Sequence, residues 1–301
     1  MRTSFGMSNS TSDEDPDEAA LISEIRTLEG SLVAARSKLT TLRSGPPPSF
    51  LSTSTPAQIP HALLLLSDSA LPLGSFAFSS GLESYLAHHP SSSTTSSFNS
   101  FLRLSISSIA STTLPYVTAA YRSPSLISQL DNDLDASTPC TVARRASVAQ
   151  GLALLSVWER SLRQTSTDAV PASSAASEAL RSFSRSLKLS DGSAPPEDTP
   201  NGHLAPLWSL VCASLSLSLP DTTYVFLLNH AKAVVSAAVR AGVMGPYQAQ
   251  GILVSEWLQG EIRRGMAENW EKDVEEAGQT VPVLDLWVGR HELLYSRIFN
   301  S

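Results

Sequence analysis

The stretch from Asp221 to Gln250, DTTYVFLLNHAKAVVSAAVRAGVMGPYQAQ, constrains the fold more than any other part of the chain. Asp221 is a good helix N-cap, and apolar side chains then recur at helical spacing as far as Gly245. Pro246 follows where proline is tolerated, in the first turn of a second helix. Between the large side chains stand alanine and serine, which let another helix approach closely. The same economy runs through the chain: charged residues make up 16%, against about a quarter in ordinary globular proteins. Ser, Ala and Leu fill the difference, so the expectation is an all-α bundle of roughly eight or more helices.

The remaining segments agree. Ser97 to Tyr121 carries Phe98, Phe101, Leu102, Leu104, Ile106 and Ile109 at helical spacing, with a break expected at Pro115. Thr141 to Arg163 reads as another helix. Residues 164–202 are rich in Ser, Ala, Pro and Asp and read as a surface insertion with one helix from Ser174 to Leu189. His203 to Leu219 is ambiguous, because SLSLSL alternates with a strand's period while LAPLWSLVCASL has helical spacing. No other segment offers a strand partner, so it is assigned to helix. The helix begun at Pro246 is expected to continue to Ala277. From about residue 279 the tail reads as flexible and extended through Val281-Pro282-Val283, ending in the apolar and basic LDLWVGRHELLYSRIFNS.

The leading part differs. Residues 1–16 are acidic and without apolar pattern, the composition of a disordered segment. Within 17–43, Leu21, Ile25, Leu28, Leu32, Ala35, Leu39 and Leu42 step by four and three, a heptad seam that can form a short coiled coil. At barely three heptads, with Gly30 inside, a single solvated amphipathic helix is the favoured reading. Residues 44–57 are a Pro/Ser-rich linker, and the compact domain is expected over 58–301.

A net charge of −7 and the lack of a basic stripe argue against nucleic acid as a partner. No apolar run reaches the ~20 residues that span a bilayer, and the acidic N-terminus is unlike a leader. Two cysteines, Cys140 and Cys212, make no CxxC, which fits reduced thiols and a cytoplasmic location.

The stretch LLLLSDSALPLGSFAFSSGLESYL interrupts an apolar helix with Pro72-Leu73-Gly74 and resumes after Gly81. It contains no GxSxG elbow and no GxxxxGK[ST] cradle, so its glycines serve backbone geometry: a tight turn at Gly74 and the start of a helix at Gly81. The six histidines include only one adjacent pair, His88-His89, and no HxxxH or HExxH. His291 is a weak metal candidate, and His230 reads as a satisfied histidine on an apolar helix. Glu268 to Glu276 form one solvated helix end. What remains is a turn with Phe76 and Phe78, a junction from Arg240 through Gly245 to Gln250, and an apolar-basic tail. Aromatic residues and arginine on turns and termini are ingredients of protein interfaces. Phe76 and Phe78 themselves are assigned to core packing, the commoner fate of such side chains. A hydrolase with a pocket between helices and a coiled-coil adaptor are the competing readings.

These blocks resemble the urease accessory protein UreF family. The early signature reads Asp68, Pro72, Gly74, Phe76, Phe78, Ser79, Gly81, Leu82 and Glu83. A second block carries Ala143, Arg144, Ser147, Gln150 and Gly151, and a third Ala238, Arg240, Gly245 and Gln250. The tail carries Asp285, His291, Glu292, Tyr295, Ser296, Arg297, Phe299 and Ser301. Departures are the leading extension, Ser75 where a second glycine is common, and the insertion at 164–202. Their length resembles that of a eukaryotic, fungal member. The resemblance implies a UreF-like helical fold, a homodimer and a non-enzymatic chaperone in nickel delivery to urease. It implies a place between a UreD/UreH-type subunit and the GTPase UreG, serving the urease apoprotein, with no tightly bound cofactor and nickel only passing through. Partner contact falls to the early signature, with Glu83 as a charge for the GTPase, to the 240–250 junction, and to the tail at Arg290, His291, Tyr295, Arg297 and Phe299. In the family the tail is expected to order when the UreD/UreH-type partner binds.

Overall fold

The computed structural model describes residues 27–32, 61–88, 95–165, 171–189 and 199–300. The segments 1–16 and 44–57 lie outside the described residues. Of the heptad segment, 27–32 is helical with Leu28 and Leu32 exposed. The chain divides between Ala57 and Gln58.

The second unit is all-α, and no strand occurs among the described residues. Its helices are α1 (His61–Ser67), α2 (Leu82–His88), α3 (Thr95–Thr112), α4 (Leu114–Arg122), α5 (Ile127–Ser137) and α6 (Thr141–Val157). They continue with α7 (Pro171–Leu189), α8 (Leu204–Ser214), α9 (Leu219–Arg240), α10 (Pro246–Val254), α11 (Glu256–Asn269) and α12 (Pro282–Arg290).

α8 is the central rod. Every residue from Ala205 to Ser214 is buried, as an all-round apolar helix requires. α4, α6 and α7 pack around it, while α9 and α11 pack on α3 to complete the core. The start of α8 is held from outside itself. Asp131 on α5, fully buried, accepts backbone N–H bonds from Asn201 (2.6 Å), Gly202 (3.0 Å) and His203 (2.6 Å). α6 crosses this loop so closely that a Cβ at Gly151 would collide with the Gly202 carbonyl oxygen.

Four departures from the sequence reading have local causes. The alternating SLSLSL is a corner: α8 ends at Ser214, Ser216 takes the left-handed conformation at φ 59°, and Ser218 caps α9 by accepting the Asp221 N–H at 3.2 Å. Asp221 therefore lies inside the first turn. The helix after Pro246 breaks at Ser255, whose hydroxyl caps a fresh start by accepting the Leu258 N–H at 3.2 Å. The helix of the Ser/Pro-rich insertion buries Ala176, Leu180 and Phe183 against the core, and Ser173 Oγ donates to Ser214 O at 2.6 Å. Of the serines that made α7 look like surface, Ser173, Ser177 and Ser184 are buried, and the hydroxyls of Ser173 and Ser184 are bonded, that of Ser184 to Glu159. Finally, Val281-Pro282-Val283 opens α12, with Pro282 in the first turn. The break at Pro115 falls where expected, between α3 and α4.

Candidate functional site

The Pro-Leu-Gly turn begins as α1 runs out at Ser67. The last carbonyls of α1 are satisfied from α9: Asn229 Nδ2 donates to Leu66 O at 2.9 Å, and Lys232 Nζ donates to Ser67 O. Gly74 sits at φ 73°, a conformation that disfavours a side chain, and a 3-10 turn over Ser75–Ala77 follows. Ser75 Oγ donates to Gln150 Oε1 at 2.7 Å, so this hydroxyl pins the turn to α6. Gly81, at φ 85°, starts α2, and its missing Cβ leaves room for Val288 and Trp287 of α12. Trp287 in turn packs against Tyr85 (4.7 Å between centroids) and Phe101 (5.7 Å), anchoring α12 on α2 and α3.

Phe76 is not a core residue: 67% of it is exposed. The turn aims it outward while Leu73 and Ser79 point in, so its expected core packing is corrected. Phe78 is half-buried. Pro72, Gly245 and Gln250 are exposed, and Gly74 is half-buried.

The tail folds back onto this turn. Glu83, whose side chain is only 11% exposed, accepts the His291 Nε2–H at 2.9 Å, the Ile298 N–H at 2.6 Å and the Phe299 N–H at 3.2 Å. Phe299 is buried with its ring 4.4 Å from the Arg240 guanidinium, and Asn300 N donates to Ala77 O at 2.7 Å. The structure thus brings together Ser79, Glu83, Arg240, His291 and Phe299, which stand far apart in sequence. Arg290, Tyr295 and Arg297 lie on the outer side of the same segment, exposed. Gly245 and Gln250 stand apart, at the corner into α10. Glu83 is turned onto the tail rather than outward, a role that no local pattern around it signals.

Behind the turn lies a cavity of about 480 Å³ among α3, α6, α9 and α12, lined in part by Phe78, Ser105, Gln150, Trp208, His230 and Lys232. Ser105 Oγ and His230 Nε2 are 2.8 Å apart. The surrounding apolar wall pushes the His230 pKa down to about 4. Desolvation likewise lowers that of Lys232, partly offset by Asp68.

Ser147, which also lines the cavity, stands 3.0 Å from His203 Nδ1, and His203 Nε2 stands 3.1 Å from Asp135. That order matches a nucleophile, a base and an orienting carboxylate. Its setting favours structure: Ser147 Oγ already accepts the Leu204 N–H at 3.3 Å in the first turn of α8, and His203 is fully buried. Asp135 also pairs with Arg144 at 3.2 Å. Among the described residues no three His, Cys, Asp or Glu side chains converge as a metal ion needs, and His291 is committed to Glu83. Likewise, no described helix is long and apolar enough to cross a membrane.

The UreF family model matches residues 93–267. A Schizosaccharomyces pombe protein described as urease accessory protein UreF-like is 40% identical, over 80% of this chain and 97% of its own length. Urease accessory protein F of Oryza sativa subsp. japonica is 31% identical over 78% of this chain and 82% of its own. Urease accessory protein UreF of Corynebacterium efficiens is 25% identical over 80% and 96%.

Proposed function

The chain belongs to the UreF family of urease accessory proteins, and from that premise we propose that it is a non-enzymatic scaffold in urease maturation. It works with other urease accessory proteins. In this reading it binds a UreD/UreH-type subunit and the GTPase UreG together, as a homodimer in the cytoplasm, and supports GTP-dependent insertion of nickel into the urease apoprotein. Nickel is cargo of the complex.

The observation that carries the reading is the joint face of turn and tail. Phe76, Tyr295 and Ile298 are exposed apolar groups on one surface, bordered by arginine. Aromatic anchors with arginine on a rigid support are the usual content of a protein-binding hot spot. A solvated surface gains nothing from such groups.

Mixing the purified chain with a UreG-type GTPase and a UreD/UreH-type subunit, and weighing the products by light scattering, tests the proposal. A ternary complex is expected, lost when Arg290 to Ser301 is removed. A chain that ignores both partners would overturn it.

A further inference from the structure

We propose that the cavity behind the Pro-Leu-Gly turn is a binding site for an amphipathic organic monocarboxylate, with the apolar body inside and the carboxylate at Lys232. The site goes beyond the scaffold reading above and needs no partner protein.

The cavity has the size of a ligand site. Helical cores pack to crystal-like density and leave few voids larger than a water molecule. Its volume of about 480 Å³ lies instead within the ~300–1,000 Å³ usual for small-molecule sites. Asp68 and Ser69 line it and are exposed, so it opens beside the turn.

The wall selects the body of the ligand. Phe78, Ile109, Leu134, Trp208, Phe226 and Leu284 bring apolar surface from six parts of the fold. Polar groups between them are already engaged. Ser75 donates to Gln150 at 2.7 Å, Ser108 donates to Gln279 at 2.8 Å, and Asn229 donates to Leu66 O at 2.9 Å. Asp285 accepts from Gln279 at 3.0 Å, and His230, beside Ser105, is kept neutral by burial. Groups spent in this way offer a ligand little to bond, which favours an apolar body.

Lys232 is the exception. Its ammonium carries three N–H groups, and Ser67 O is the one acceptor they meet among the described residues. Asp68 acts on it through charge alone: that carboxylate lies beyond ion-pair distance, accepts the Ala70 N–H at 2.9 Å and is exposed. Burial already holds the Lys232 pKa below its ordinary value, so the cation is short of water as well as of a counter-ion. A carboxylate arriving there makes a charge-assisted bond in a partly dry setting, where such bonds are strong. One cation matches one carboxylate. A dicarboxylate or a phosphate would leave further charge against an apolar wall.

Laurate is the probe, titrated calorimetrically into the full chain below its micellar concentration. Dodecanol is the uncharged control of equal length, and butyrate the charged control with almost no body. One laurate per chain is expected, with a rise in melting temperature on saturation. Dodecanol and butyrate should each bind at least about tenfold more weakly. Lys232→Met keeps the stem, removes the charge and should weaken laurate about tenfold while leaving dodecanol unchanged. Because that change also removes the bond to Ser67, Ala233→Leu is the second variant. It fills part of the cavity from α9, leaves every polar group in place and should weaken laurate and dodecanol alike. Absence of laurate binding would overturn the proposal, as would equal affinity for dodecanol or undiminished binding by either variant. The chain is tested alone, so failure here leaves the scaffold reading standing.

Discussion

His230 shows how one side chain ties the cavity to stability. Burial holds its folded pKa at about 4, below the 6.5 of a free imidazole, so the unfolded chain takes up the proton first. The contribution is whole above about pH 6.5 and is lost as pH falls toward about 4. The full shift corresponds to about 3 kcal/mol, but the ring is only half-buried and borders the cavity, so about 1–3 kcal/mol is expected. Urea unfolding at pH 7 and pH 4.5 should therefore show His230→Gln losing less stability on acidification than the unaltered chain, by that amount. Equal losses would remove His230 from the account. Asp131 makes a sharper case. Asp131→Ala leaves three backbone donors, two of them buried, without their acceptor and should cost about 3 kcal/mol. Ser147, by contrast, serves as a tie between α6 and α8, so a fluorophosphonate probe should leave it unlabelled. Labelling would revive the hydrolase reading.

At the scale of elements, α7 carries the clearest lesson. Its Ser-rich composition points to surface, yet Phe183 is 1% exposed and packs into the core. Phe183→Ala should cost about 3–5 kcal/mol in chemical denaturation, where a surface helix would give less than about 1. Helix existence was legible where apolar spacing and the prolines at 115 and 246 report local energetics, whereas α5 was not read and the segment opened by Pro282 was read as extended. Corners were less so. Ser218 and Ser255 act as caps only because the chain turns there, and a serine looks the same in a helix as before one. Gly74 was readable as a turn glycine and Gly81 as a helix start, since their positive φ is a local demand. The pairing of Glu83 with residues 291–299 is set by how α12 packs on α2, and nothing within either segment encodes it.

At the largest scale, residues 58–301 form a helical body whose proposed recognition surface lies on one edge. α8 and its collar fix the core. The Pro-Leu-Gly break then turns Phe76 outward, and α12 returns the tail to the same edge. The interruption of an apolar helix by Pro72-Leu73-Gly74 thus leaves Phe76 on the surface, where the proposed docking face needs it. Phe76 is the residue at which folding and binding separate. Phe76→Ala, studied by thermal melting and by light scattering with the UreD/UreH-type and UreG-type partners, is the most direct test. The account predicts a stability change within about 0.5 kcal/mol, as for an exposed side chain, together with loss of the complex. A marked fall in melting temperature with the complex intact would contradict it.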